Sequence, residues 1–337
     1  MKTKWAKPAL LLAAAATMLA GCGSGAGNGA NSSASPAAGA AASAAAGPES
    51  SGGSKLKVVA TFYPMYEFSR QVAGDHADVV GLIPAGAEPH DWEPSAKDMA
   101  QIGEADLFVY NGIVEDWAEQ ALASVANPDR VVVKAIDGIE LQEGIPEEEE
   151  GEAHSDEHAG DEHTLDPHVW LDPVLAKREV ENIEAAFIQA DPAHENDYKA
   201  NADAYIAKLD ELDQAYRDGL KDVKRKDFVT QHAAFGYLAK EYGLTQIPIA
   251  GLSPEQEPSP ARMAEVVKQA KEMNIRTIFF ETLVDPKIAD TIAKEVGAKT
   301  DVLNPLEGLT DEDKQNNLDY IGIMQNNLAA LQKALNE

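Results

Sequence analysis

The sequence predicts an α/β fold with two βα lobes, each built on a mostly parallel sheet, joined by one long rigid helix. Two blocks of short apolar runs alternate with amphipathic segments, which is typical of parallel sheets covered by helices. Between them, apolar residues step by three and four along a single helical face. We therefore expect an N-terminal lobe at 55–194, a linking helix at 195–223 and a C-terminal lobe at 224–337.

In the N-terminal lobe, β-rich runs alternate with segments of helical period. Pro64 near the start of one such segment and Ser95 before the next are typical of helix N-termini. The predicted strands are 57–62, 79–83, 107–110 and 131–135. The predicted helices are 64–74, 95–105 and 115–126. After Ile136 the pattern stops until about Thr164.

The second block begins after two helices. Asp172-Pro173 opens the first helix, with Asp as the cap and Pro at the first position. The linking helix 195–223 would span roughly 40 Å at 1.5 Å per residue. Further strands are predicted at 228–230, 244–249, 277–281 and 299–303. Further helices are predicted at 233–242, 260–273, 286–296 and 312–335.

The N-terminus has the pattern of a secretory signal. Three lysines precede an apolar run, 8–20, that is too short to span a bilayer as a stable helix. The run ends in Leu-Ala-Gly-Cys, which resembles the lipobox of bacterial lipoproteins, and Cys22 is the only cysteine. The sequence therefore predicts a signal peptide at 1–21, lipidation of Cys22, and a flexible linker at 22–54 rich in Ala, Gly and Ser.

The charge balance is strongly acidic, with a formal net charge of −29. This argues against nucleic acid as a partner and favours either solubility, as in an ordinary acidic extracellular protein, or attraction of cations. The segment EEEEGEAHSDEHAGDEH, 147–163, is the extreme case, and it lies in a predicted acidic His-rich loop at 143–163. A solvated loop explains it structurally. We also expect weak auxiliary metal capture there by three histidines, His154, His158 and His163, separate from the tight site.

Three further histidines and one glutamate follow predicted strands or lie in loops that can reach the same sheet edge. Ligands of open α/β sheets collect beyond the carboxyl ends of strands. Each residue alone is more simply a solvated loop residue. Together, three imidazoles and a carboxylate suit Zn²⁺. The candidates are His90, His168, His232 and Glu281, with Asp91, Asp166 and Asp285 as possible supporting carboxylates.

Five segments in order carry a family resemblance across essentially all of 55–337: PAGAEPHDWEPS, DPHVWLDP, QHAAFGYLAKEYGL, IAGLSPEQEPSP and FFETL. They resemble the metal-binding lipoproteins of bacterial ABC importers, the cluster A-I family with its ZnuA- and AdcA-type zinc proteins and adhesin-related manganese proteins. The resemblance implies a metal cleft between the lobes. It places the first three ligands at His90, His168 and His232, and the fourth at Glu281.

The resemblance implies a non-enzymatic protein that captures Zn²⁺ outside the cytoplasm and delivers it to an ABC-type permease. It would be a monomer anchored to the cell membrane by its N-terminal lipid, on a Gram-positive outer leaflet. Manganese is the less favoured ion, because manganese relatives place a carboxylate where this chain has His232. An adhesion-related surface lipoprotein and a zinc hydrolase are two further candidate functions, although the sequence has no H-E-x-x-H motif. With ordinary imidazole pKa values, binding should weaken below about pH 6.

Overall fold

The computed structural model describes residues 55–144 and 165–337. The predicted signal peptide, Cys22, the linker and the histidines at 154, 158 and 163 lie outside these described residues. Both predicted sheets are present, and every pairing between neighbouring strands is parallel.

The first sheet has the strand order β2-β1-β3-β4. Its strands are β1 (Leu56–Ala60), β2 (Ala77–Gly81), β3 (Leu107–Tyr110) and β4 (Val131–Lys134). Its helices are α1 (Tyr63–Ala73), α2 (Ala96–Glu104) and α3 (Ala118–Ser124). All four residues of β3 are buried, as expected for a central strand of a parallel sheet that is covered on both faces. Ser95 caps α2 in a reciprocal capping box with Asp98.

Two helices connect the sheets. A 3-10 turn at Val169–Leu171 leads into α4 (Pro173–Ala190), whose first turn is capped by Asp172. Helix α5 (Glu195–Leu220) is the predicted linking helix, and it packs against α4, α1 and the C-terminal helix. All seven residues of its predicted apolar face are buried: Tyr198, Ala202, Tyr205, Leu209, Leu212, Tyr216 and Leu220.

The second sheet repeats the order of the first, as β6-β5-β7-β8. Its strands are β5 (Asp227–Thr230), β6 (Thr245–Pro248), β7 (Thr277–Phe280) and β8 (Lys299–Val302). Its helices are α6 (Gly236–Glu241), α7 (Pro260–Glu272), α8 (Lys287–Val296), α9 (Asp311–Gln315) and α10 (Tyr320–Leu335). The predicted fold class is therefore confirmed.

The single helix predicted at 312–335 is wrong, because the chain breaks into α9 and α10. Asn317 adopts a left-handed backbone with φ of 52°, which ends the first helix. Asp319 then caps the second by accepting a hydrogen bond from the Gly322 amide. The helical period continues across this turn, so periodicity alone does not reveal it.

A continuous apolar core joins the first sheet to the linking helices and α10. Trp170, Tyr205 and Tyr320 are among its largest fully buried side chains. Phe62 meets Trp170 edge-on with ring centroids 5.0 Å apart. Within the described ranges, none of the helices combines the length and apolar character needed to cross a bilayer.

Candidate metal site

Four side chains converge where loops of the two sheets meet: His90, His168, His232 and Glu307. One ligand atom from each lies within 4.8 Å of all the others. Glu307 Oε1 is 3.3 Å from His90 Nε2, 3.4 Å from His168 Nε2 and 3.3 Å from His232 Nε2. The Nε2 atoms of His168 and His232 are 3.3 Å apart. The carboxylate oxygen thus lies close to all three imidazole nitrogens.

Loops at the carboxyl ends of strands supply three members of this group. His90 lies beyond β2, His232 directly beyond β5, and Glu307 beyond β8. His168 comes from the segment that leads into α4, so each half of the molecule contributes two side chains. The structure therefore brings the three predicted histidines together.

Two carboxylates orient the buried imidazoles from behind. Asp166 Oδ1 is 2.8 Å from His168 Nδ1 and also accepts the His168 amide. Glu281 Oε1 is 2.5 Å from His232 Nδ1 and likewise accepts the His232 amide. A proton held on Nδ1 by these carboxylates leaves Nε2 free to act as a ligand.

The expectation that Glu281 fills the fourth position is corrected by this geometry. Glu281 binds the nitrogen of His232 that faces away from the group, and Glu307 occupies the position among the Nε2 atoms. Of the suggested supporting carboxylates, Asp166 has that role. Asp285 instead pairs with Lys287 at the surface. Asp91 lines a cavity beside His90.

Glu307 was missed because it does not follow its strand directly. The chain leaves β8 at Val302 and turns through Leu306, which has a left-handed backbone with φ of 61°. The Asn304 side chain accepts a hydrogen bond from the Leu306 amide. The Asn327 side chain of α10 accepts one from the Asn304 amide and donates one to the Asn304 carbonyl. The asparagine in the segment Leu-Asn-Pro-Leu-Glu was the one local signal of such a turn.

The segment that carries His168 is anchored by hydrogen bonds to the C-terminal half of the molecule. Tyr237 of α6 donates its hydroxyl to the Asp166 carbonyl at 2.8 Å and accepts the Gln142 amide at 2.9 Å. Trp170 donates its indole N–H to the Pro305 carbonyl at 2.8 Å. These bonds hold the His168 loop against the loop that carries Glu307, and they restrict the geometry of the group.

The proton balance of the group follows from burial and from these carboxylates. Burial lowers the pKa of His232, but the charges of Glu281 and Glu307 outweigh it and hold that pKa well above its ordinary value. Burial likewise opposes the protonation of His168, whose pKa is raised by hydrogen bonds to Asp166 and Glu307. Burial lowers the pKa of His90. Despite burial, the imidazoles hold the pKa of Glu307 well below its usual range.

The donor set decides what the group can hold. His168 and His232 are fully buried and Glu307 is 1% exposed. Three imidazole nitrogens with one carboxylate oxygen form a closed four-coordinate set of the kind that suits Zn²⁺. A site richer in oxygen would suit Mn²⁺ better.

Comparison with known proteins gives matches over most of the chain. The profile of the family described as "ZnuA: Zinc-uptake complex component A periplasmic" matches residues 58–334. The high-affinity zinc uptake system protein ZnuA of Bacillus subtilis is 52% identical over 290 residues, covering 86% of this chain and 90% of that protein.

Two streptococcal proteins are also similar. The zinc-binding lipoprotein AdcA of Streptococcus pneumoniae is 47% identical over 86% of this chain, which spans only 58% of AdcA. The Zn(II)-bound crystal structure of its ZnuA-like domain superposes with a TM-score of 0.70 at 45% identity, covering 84% of this chain and all of that one. The structure of the laminin-binding protein Lmb of Streptococcus agalactiae superposes with a TM-score of 0.72 at 39% identity, covering 83% of this chain and 99% of that one.

Proposed function

The chain belongs to the ZnuA family of zinc-uptake components, and we propose that it captures Zn²⁺ outside the cytoplasm and delivers it to an ABC-type permease. The ligands would be His90, His168, His232 and Glu307. The observation that carries this proposal is the convergence of their four ligand atoms within 4.8 Å at the junction of the two sheets. An ion held there would be bound by two side chains from each half of the molecule.

Zinc is the proposed cargo because imidazole dominates the donor set. Two relatives support this choice, since B. subtilis ZnuA is named for zinc uptake and the AdcA domain was solved with Zn(II) bound. Glu281 does not add a second oxygen to the set, because its carboxylate engages His232 Nδ1. Manganese therefore remains the less favoured ion.

The cellular setting rests on the N-terminus. We propose that Cys22 carries a lipid and that the chain acts as a monomer on the outer leaflet of a Gram-positive membrane. The lipobox-like Leu-Ala-Gly-Cys supports the anchor, and the relative AdcA is itself named a lipoprotein. Cys22→Ala should release the protein into the medium, whereas retention on the membrane would count against lipidation.

The ZnuA family consists of solute-binding proteins of transporters rather than enzymes. Glu307 occupies the fourth position that a catalytic zinc site leaves open for water. An adhesive role has one supporting observation, the laminin-binding name of the S. agalactiae protein. Assays of the zinc-loaded protein for ester and peptide hydrolysis, and for laminin binding, separate a hydrolase and an adhesin from a carrier.

The direct test is metal analysis followed by competitive titration of the metal-free protein with Zn²⁺ and Mn²⁺ against a chelator of known affinity. We expect one tight equivalent of Zn²⁺ and much weaker Mn²⁺ binding. His168→Ala and His232→Ala should each abolish the tight event, whereas the surface variant His194→Ala should retain it. Tight zinc binding that survives both core substitutions would place the site elsewhere.

Delivery is tested in cells. A bacterium that lacks its own zinc-binding protein but keeps the cognate permease should regain growth in zinc-depleted medium with the wild-type chain and not with His168→Ala. Equal growth with both proteins would reject the transport role.

A further inference from the structure

Two cavities reach the four-residue group, and they differ in chemistry. The first, which we call the acidic mouth, has a volume of about 470 Å³ and borders His90. Loops of both halves line it, including Asp91, Asp116, Ser253 and Glu255. The second, which we call the aromatic cavity, has a volume of about 430 Å³ and borders Glu307. Its lining includes Phe62, Tyr63, Tyr66 and Lys314.

Only one ligand can be approached from solvent. The side chains of His168 and His232 are 0% exposed and that of Glu307 is 1% exposed, whereas the side chain of His90 is 12% exposed. Because His90 also lines the acidic mouth, an ion passing through this cavity meets a ligand directly at its inner end.

The charges around the acidic mouth all favour a cation. Asp91, Asp116 and Glu255 contribute three carboxylates, and no Lys or Arg is present among the described residues that line it. Within the described ranges, none of the three forms an ion pair that would cancel its charge. The aromatic cavity has one carboxylate, Glu307, and one cation, Lys314, among its lining residues, so it lacks the excess of negative charge of the acidic mouth.

We propose that the acidic mouth is the path by which a hydrated divalent cation enters and leaves the four-residue group, and that Asp91, Asp116 and Glu255 accelerate its entry. This inference rests on the proposed zinc-binding function and adds the route to it. A cleft lined by one sign of charge concentrates counter-ions and raises association rates by about 10- to 1,000-fold, in a way that salt suppresses. The carboxylates act on the approaching ion and are not ligands in the bound state.

Charge removal is the first test. Stopped-flow mixing of the metal-free protein with Zn²⁺, in competition with a zinc-responsive dye, gives the association rate constant. The near-isosteric double variant Asp116→Asn/Glu255→Gln should lower this constant by about tenfold at low ionic strength and flatten its salt dependence. The dissociation rate constant, measured with excess chelator, should change much less. Lys314→Gln, in the aromatic cavity, is the matched control and should leave association unchanged.

The second test obstructs each cavity with a bulky side chain. It shows which cavity the ion passes through. Ser253→Trp adds bulk to the lining of the acidic mouth at a residue that is not a ligand. It should therefore slow association and dissociation by the same factor while the Kd stays constant. An obstacle on a path changes only the barrier, and the equilibrium between free and bound ion is unaffected. Ala85→Trp places the same bulk in the aromatic cavity and should leave both rates unchanged.

The outcomes separate the route from the proposed function. Unchanged rates in the charge and Ser253 variants, with slowing in the Lys314 or Ala85 variants, would overturn the acidic mouth as the path while zinc binding stands. A wild-type chain with no tight zinc equivalent would overturn the proposed function itself.

Discussion

Glu307→Gln against Glu281→Gln is the most discriminating pair of substitutions at the site. Both residues are buried glutamates that contact His232, and both substitutions keep the shape of the side chain while removing its charge. The structure assigns them different roles. Glu307 Oε1 lies within 3.4 Å of three Nε2 atoms, whereas Glu281 contacts the Nδ1 and the main-chain amide of His232.

The expected magnitudes follow from these roles. Removing the charge of a buried partner leaves the other charge uncompensated, at a cost of about 3–5 kcal/mol. At about 1.4 kcal/mol per tenfold, Glu307→Gln should weaken zinc binding by roughly 10²- to 4 × 10³-fold. Glu281→Gln removes a supporting hydrogen bond to a ligand, for which the usual loss is about 10- to 100-fold.

The assay is chelator competition at fixed pH with the wild type, both variants and Glu312→Gln, an exposed glutamate of α9 that serves as the control. Each affinity is determined after unfolding measurements confirm that the metal-free variant is folded. A larger loss for Glu281→Gln than for Glu307→Gln would refute the assignment and return the fourth position to Glu281.

Three further predictions concern proton release on zinc binding, the hydrogen bonds of Tyr237 to the His168 loop, and the acidic segment. Because the pKa of His232 is raised well above its ordinary value, the metal-free site holds a proton at neutral pH that Zn²⁺ must displace. Zinc affinity should therefore still be rising with pH through neutrality. A site with ordinary imidazole pKa values would lose affinity only below about pH 6. Calorimetry in two buffers of different ionisation enthalpy should give different heats, and equal heats would contradict the proton release. Tyr237→Phe removes two hydrogen bonds and should weaken zinc binding by up to about 30-fold, at about 1 kcal/mol per bond and 1.4 kcal/mol per tenfold. It should also speed hydrogen exchange at the Gln142 amide. Unchanged exchange would show that the Tyr237 hydrogen bonds do not hold this loop. The last variant replaces the three histidines of the acidic segment, His154, His158 and His163, by Ala. It should lose weak zinc equivalents and keep the tight one. Loss of the tight equivalent would place a tight ligand in that segment.

The positions of the histidines could be predicted from the sequence because they depend on local patterns. Short apolar runs mark where strands end, and parallel strands bring their carboxyl ends to one edge. His232 follows β5 directly, and His90 lies in the Pro- and Gly-rich loop beyond β2. These rules place side chains within the same region of the molecule. They do not say which atoms meet, since that depends on packing between residues distant in the chain.

Glu307 and Glu281 show the limit of that reasoning. Glu281 directly follows β7, so the strand-end rule selects it, and the structure does place it beside His232. The rule cannot distinguish a carboxylate that faces Nε2 from one that faces Nδ1. Glu307 reaches the group only because Trp170 and Asn327 fix the preceding turn from more than 20 residues away. The break between α9 and α10 was missed for a similar reason, since Asp319 acts through a cap and not through the helical period.

The charges of the buried groups explain why this site holds either protons or a dication. Glu307, Glu281 and Asp166 bring three negative charges to a region that is nearly closed to solvent. Buried charge of one sign is costly unless it is paired, so the metal-free state favours protons on His168 and His232, whose pKa values are raised. Burial and the charge of Glu307 raise the pKa of Glu88, whose carboxylate accepts the His90 amide, to about 9, and this keeps a fourth carboxyl neutral at physiological pH. A dication that replaces the imidazolium proton brings the cluster closer to neutrality than a monovalent cation can. The carboxylates behind His168 and His232 thus favour divalent ions without entering the coordination sphere, and this is why substituting Glu281 should weaken binding without abolishing it.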